Sequence, residues 1–144
     1  MRAGGAAAAA SLLVLGLAGA AHPLDVQITT VRATDHGSSD AQLIELRPRL
    51  RRLVGYRAFR VVGQEKRRCE WRSPEAFVIR GGRELRVIPL GMRDQAVVMQ
   101  IQLREGTRSL VDTDVRLQNR GVMLFGVGQD ARSRALLIMV RAEE

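Results

Sequence analysis

Over most of its second half the chain alternates apolar and polar residues with a period of two. In 96–104, Val97, Met99, Ile101 and Leu103 fall on one face, with Val98, Gln100, Gln102 and Arg104 on the other. This predicts a strand with one buried and one wetted face. The stretch 77–89 holds two such runs joined by Gly81-Gly82 and reads as a β-hairpin. A two-residue loop would set Ile79 against Glu84 and Phe77 against Arg86, so a three-residue loop is expected instead. Gly81-Gly82-Arg83 would pair Ile79 with Leu85 and Phe77 with Val87. Arg80-Gly81-Gly82 would pair Phe77 with Leu85, and is preferred because it puts glycine at the third, left-handed loop position. Further strands are predicted over 25–33, 56–62, 68–71, 110–117, 122–127 and 135–141, with turns at Gly63-Gln64, Ser73-Pro74, 91–94, 105–107, 119–121 and 128–130. Leu136-Leu137-Ile138-Met139-Val140 is apolar on both faces, so the last strand is expected in the middle of a sheet or under a helix.

One segment changes period. Ser39-Asp40-Ala41-Gln42 has the form of a helix capping box, and Leu43, Ile44, Leu46, Leu50, Leu53 and Val54 follow at helical spacing up to Gly55, a C-cap residue. Pro48 removes a backbone donor and crowds the preceding turn, so this helix is expected to kink or to divide into two short pieces. The pattern as a whole predicts an α+β, mostly β domain: a strand and one N-terminal helix first, then six or seven mostly antiparallel strands in a sandwich or strongly twisted sheet packed on the helix.

Before all this stands a leader. Met1-Arg2 is a positive n-region, 6–17 an apolar h-region, and Ala18-Gly19-Ala20-Ala21 a small-residue cleavage site, so 1–21 is expected to be a secretory signal peptide and 22–144 a single exported domain of the periplasm or beyond. The apolar run is shorter than the ~20 residues of a membrane span, and no later stretch offers one. With 23 basic and 15 acidic residues the formal charge is +8, falling to +7 once Arg2 is removed, and every base but Lys66 is arginine. That balance favours anionic surfaces such as phospholipid, lipopolysaccharide or acidic polysaccharide. Export and the scarcity of aromatic residues (Tyr56, Phe59, Trp71, Phe77, Phe125) argue against nucleic acid as a partner.

Candidate chemistry is thin. No nucleophile elbow, phosphate loop, dinucleotide fingerprint or paired metal motif occurs, so no catalytic residue, metal site or cofactor is expected. His22, if cleavage follows Ala21, could chelate copper with its amino group and with His36; a solvated tail and loop histidine is the ordinary reading. Ser38 and Ser39 beside Asp35 and His36 are better explained by turn and capping chemistry than by nucleophilic catalysis. Cys69 is the only cysteine, which excludes an intramolecular disulfide; the cations around it favour a reactive thiolate, its strand setting a buried and inert thiol.

The arginines carry the functional expectation. Arg47, Arg51 and Arg52, with Arg49, lie on the helix among leucines, as on a membrane-surface helix, and Arg80, Arg83 and Arg86 crowd the hairpin tip; these two patches are the candidate binding residues. The signal peptide, the leucine-rich helix, Tyr56-Arg57-Ala58-Phe59 and Gly81-Gly82-Arg83-Glu84-Leu85 resemble small exported β-rich proteins of Gram-negative bacteria, a resemblance covering most of the mature chain and implying no particular activity. Asp112-Thr113-Asp114-Val115-Arg116-Leu117 followed by Gly121-Val122-Met123-Leu124-Phe125-Gly126 is similar to a strand pair of outer-membrane secretins, over some thirty residues. Val127 replaces that run's second glycine, and the barrel-forming region has no counterpart, so secretin activity is not implied. The expectation is a non-catalytic envelope module that binds a protein partner or assists assembly of an envelope or secretion machine; the alternative is a peripheral binder of anionic lipid or polysaccharide through the arginine patches.

Overall fold

The computed structural model describes residues 23–129 and 135–144; the expected signal peptide and His22 lie outside them. Within the described residues eight strands form two four-stranded sheets in which every neighbouring pair is antiparallel. The first sheet has the order β2-β1-β8-β7, with β1 at Leu24–Thr34, β2 at Ala58–Cys69, β7 at Val122–Gln129 and β8 at Ala135–Glu143. The second is a meander of β3 (Glu75–Ile79), β4 (Arg83–Arg93), β5 (Ala96–Glu105) and β6 (Arg108–Gln118). One core joins them into a sandwich: Leu24, Val26, Ile28, Leu136, Ile138 and Val140 from the first sheet meet Phe77, Leu85, Val87, Val97, Met99, Ile101 and Leu103 from the second.

The hairpin adopts the preferred register. Phe77 stands opposite Leu85 and Ile79 opposite Arg83, leaving Arg80-Gly81-Gly82 as the loop. Gly82 is left-handed at φ +75°, and Gly81 also has positive φ, at +90°. Alternation decides the rest of the core as well. In β1 the even-numbered Val26 and Ile28 enter the sandwich, while Val31 and Ala33 on the opposite face join Phe59, Leu137, Leu43 and Leu50 in a second, smaller core. The apolar residues on both faces of β8 are thereby explained: it lies between β1 and β7, and the helical segment covers its outer face.

That helical segment is two short pieces, a 3-10 turn at Ala41–Leu43 and α1 at Arg47–Val54. Pro48 sits in the first turn of α1, where its missing N–H costs nothing. Gly55 closes the helix at φ +74° and donates its N–H to the Arg51 carbonyl at 2.9 Å. The expected capping box does not form. Ser39 Oγ instead accepts the N–H of Phe59 (3.0 Å) and the Asp40 carboxylate that of Val61 (2.6 Å), while Asp40 N–H donates to the Phe59 carbonyl (2.9 Å). The start of β2 is an edge strand with no further neighbour, and these two residues satisfy its backbone as a short strand would.

Two turn assignments are corrected. Gly63-Gln64 does not break the chain, because β2 pairs with β1 over its full length and absorbs Val62 as a bulge between Thr30 and Val31. Nor does β4 stop at Pro89. It bulges at Leu90, runs to Arg93 and turns at Asp94-Gln95, both with positive φ (50° and 68°). Pro89 is tolerated because β3 ends its pairing at Val87, so the missing donor falls where β4 has lost one neighbour.

Candidate binding surface

The sandwich separates the two arginine patches that the sequence offered. Arg47, Arg49, Arg51 and Arg52 are exposed on α1, outside the first sheet; Arg80, Arg83 and Arg86 belong to the hairpin of the second. Leu50 is the helix residue that reaches the inner side, fully buried, with Leu46 and Val54 partly buried beside it. The remaining surface of the segment is mainly basic and partly apolar: Ile44 is 62% exposed and Leu53 52%, with one exposed acid, Glu45, next to Ile44. Arg52 Nε donates to the Pro48 carbonyl (3.4 Å), and none of the four α1 arginines pairs with a carboxylate among the described residues.

The hairpin arginines are engaged within the fold. Arg80 Nε donates to the Val62 carbonyl (3.1 Å), crossing from the loop after β3 to the edge of β2. Arg83 is not at an exposed tip. Opposite Ile79 and Glu105 it occupies the inward face, its side chain is 9% exposed, and its Nε meets Glu105 at 3.2 Å. The three-residue loop fixes this parity, because the residue that follows it pairs with inward Ile79. Arg86 faces outward, half-buried, 3.8 Å from Glu84.

A residue that sequence reading overlooked does more than any of these. Arg67, near the end of β2, forms ion pairs with Glu65 and with Glu75 (3.2 Å), donates to the Ala76 carbonyl (2.6 Å) and lies 4.6 Å from the centre of the Phe77 ring. Its hydrogen bond to Glu65, foremost, raises its pKa above the ordinary arginine value. Arg67 and Arg80 thus stitch the adjacent edges of the two sheets, β2 and β3, with side chains where no backbone ladder runs. The alternation of Glu65, Arg67 and Cys69 along β2 was the available signal, but the turn read at Gly63-Gln64 hid it.

Cys69 is fully buried in the sandwich core. Burial, and next to it the charge of Glu75, pushes its thiol up to about 11. The neighbouring cations therefore do not activate it: Arg67 lowers the value, but by less than burial raises it. A thiol held neutral in the fold and free to ionise at about 8.5 when unfolded stabilises the fold fully below pH ~8.5, and that contribution is lost as pH rises toward 11. Native protein is therefore expected to react with iodoacetamide far more slowly than denatured protein at pH 8, and its melting temperature to fall between pH 9 and 11. Replacing Cys69 by Ala should flatten that fall; an unchanged alkaline slope would assign it to other groups.

Asp35, His36 and Ser38 are exposed in their loop, Ser39 is committed to β2, and no cluster of three or more His, Cys, Asp or Glu side chains among the described residues is arranged to hold a metal ion. Comparison with protein-family models, curated proteins and solved structures gave no match to this chain. The functional reading therefore rests on the geometry of the chain itself.

Proposed function

We propose that this chain is an exported, non-catalytic binding module of the cell envelope that docks on an anionic surface through the α1 segment. The observation that carries the reading is the contrast between two sets of arginines. Arg83 and Arg86 of the hairpin and Arg67 and Arg68 of β2 stand beside carboxylates, and Arg80 reaches the Val62 carbonyl, whereas the four on α1 face solvent with no carboxylate partner among the described residues, Arg52 donating only to the Pro48 carbonyl of its own helix. Exposed charge of one sign along α1, with Leu53 on the helix and Ile44 just before it, outweighs the single exposed acid Glu45 and suits a surface that offers both anionic groups and an apolar boundary. The leader-like segment 1–21 supports an envelope setting. No helix among the described residues is long and apolar enough to cross a membrane, so attachment through α1 would be peripheral.

Co-sedimentation with vesicles tests this. Binding is expected to vesicles containing phosphatidylglycerol and not to phosphatidylcholine alone, and to fall steeply at ~1 M salt, where the screening length shrinks to ~3 Å. Equal binding to both vesicles, or binding that salt leaves intact, counts against the proposal.

A protein partner is the second reading, and the β6 edge favours it. β2 and β3 have their edges stitched, but among the described residues β6 pairs only with β5 across its 11 residues, an outer edge on which a partner could add a strand. Slowed amide exchange confined to 108–118 in the presence of an envelope extract would support strand addition; exchange unchanged there would remove it.

A further inference from the structure

We infer that the outer face of the first sheet carries a second, separate site: a subsite for one acidic sugar residue, in the groove where the cover provided by the helical segment ends. The outward residues of β1 trace how the groove arises. Val31 and Ala33 lie beneath the helical segment, and the next two outward positions toward the N-terminus are Thr29 and Gln27. Across the sheet, Thr29 stands between Gln64 and Met139, and Gln27 between Lys66 and Arg141. Gln42 and Leu46 form the opposite wall, and the space enclosed is about 210 Å³. That is below the usual range for whole small-molecule sites, and suits a single ring or headgroup.

The lining defines the ligand. Arg141 is exposed and pairs with no carboxylate among the described residues; the neighbouring acids are already engaged, Glu143 with Arg120 (3.0 Å) and Asp25 with Lys66 (3.9 Å). A planar guanidinium without a counter-charge matches a carboxylate or phosphate through two parallel hydrogen bonds. Around it Gln27, Gln42 and Gln64 offer carboxamides, each able both to donate and to accept, the pattern that ring hydroxyls require. Gln64 is already set in place by the bond from its Nε2 to Thr29 Oγ1 (3.2 Å). Met139 and Leu46 supply apolar contact for the C–H face of a ring. Among the described residues no carboxylate and no aromatic ring lines the groove, so discrimination falls to charge and hydroxyl geometry, not to stacking. None of the lining residues is an arginine of α1. The site therefore does not depend on the docking proposed above.

Isotope-labelled protein titrated with glucuronic acid, glucose 1-phosphate and glucose tests the site. The side-chain amide resonances of Gln27, Gln42 and Gln64 are expected to shift with the two acids and not with glucose. Arg141→Gln, at an exposed position that should leave the melting temperature unchanged, is expected to weaken the response at least about tenfold. A parallel titration with vesicles bearing lipopolysaccharide separates the sources: shifts with the free acids mark a soluble saccharide, and shifts with these vesicles alone that Arg141→Gln abolishes mark a lipid-borne headgroup, whereas vesicle shifts that Arg141→Gln leaves intact belong to α1 and count against the groove. No shift with any probe, an equal response to glucose, or an unchanged response in Arg141→Gln overturns the inference. Phosphatidylglycerol vesicles carry no sugar ring, and Arg141→Gln is expected to sediment with them as the unaltered protein does, so the two proposals can fail separately.

Discussion

Replacing Arg47, Arg49, Arg51 and Arg52 together by glutamine is expected to weaken binding to phosphatidylglycerol vesicles by roughly a thousandfold, since each basic residue near an anionic surface contributes about five- to sixfold in affinity. Glutamine is nearly as good a helix former as arginine, and these side chains are exposed, so α1 should persist and the melting temperature should fall only slightly, through loss of the Arg52–Pro48 hydrogen bond and of the cations in the last turn. Single replacements should each cost a few-fold, in any order, because a diffuse field sums over its charges. A loss concentrated in one arginine would point to a discrete ligand and away from a charged surface. Leu53→Ser tests the other half of the idea. The binding that survives in high salt should drop while the salt slope stays the same, since an apolar contact releases no counterions. Arg86→Gln on the opposite sheet is the control, expected to leave vesicle binding unchanged because Arg86 already lies beside Glu84.

Phe77→Ala should destabilise the sandwich by about 3–5 kcal/mol, a large part of the ~5–15 kcal/mol available to a domain of this kind. The melting temperature should fall by about 10–20 °C. Phe77 is fully buried, faces Leu85, and supports the Arg67 guanidinium that ties β2 to β3. Removing the ring leaves a cavity and also withdraws the surface on which Arg67 rests. Calorimetry on Phe77→Ala, Arg67→Gln and the double variant would separate the two: the combined loss should be smaller than the sum, because each single change already disables the contact. The adjacent residue provides the contrast. Val78 is 86% exposed on the other side of the same strand, and Val78→Ser should change stability by no more than about 0.5 kcal/mol. Similar losses at 77 and 78 would contradict the inward and outward assignment of the whole hairpin.

The register of that hairpin is legible in the sequence because parity leaves few choices: a strand side chain faces one side or the other, and a glycine at the left-handed loop position decides between the two loops that keep the apolar face intact. The same logic places β5 and the twice-buried β8. It fails where a local signal competes with a distant partner. Gly63-Gln64 has the composition of a turn, yet eleven pairings with β1 hold β2 straight through it. Ser39 and Asp40 have the form of a cap, yet unpaired amides at the edge of β2 claim their oxygens. In each case a backbone donor brought near by tertiary pairing outweighs a preference worth about a kilocalorie.

The candidate surfaces divide in the same way. The sequence shows that the chain is basic and that its arginines cluster at 47–52 and 80–86, but not which charges are neutralised. Arg83 turns inward to Glu105 and Arg80 reaches across to β2, while the arginines of α1 find no acid among the described residues, because ion pairs form between strands that only the fold brings together. The groove at Arg141 is further still from the linear pattern, since Gln27, Gln42, Gln64 and Arg141 come from three strands and the approach to the helix. Alternation along the chain determined which residues are buried in the core, because period and parity are properties of a single strand. Which polar residues share a surface, and which charges remain unanswered there, only the pairing of β1 with β2 and β8 decided.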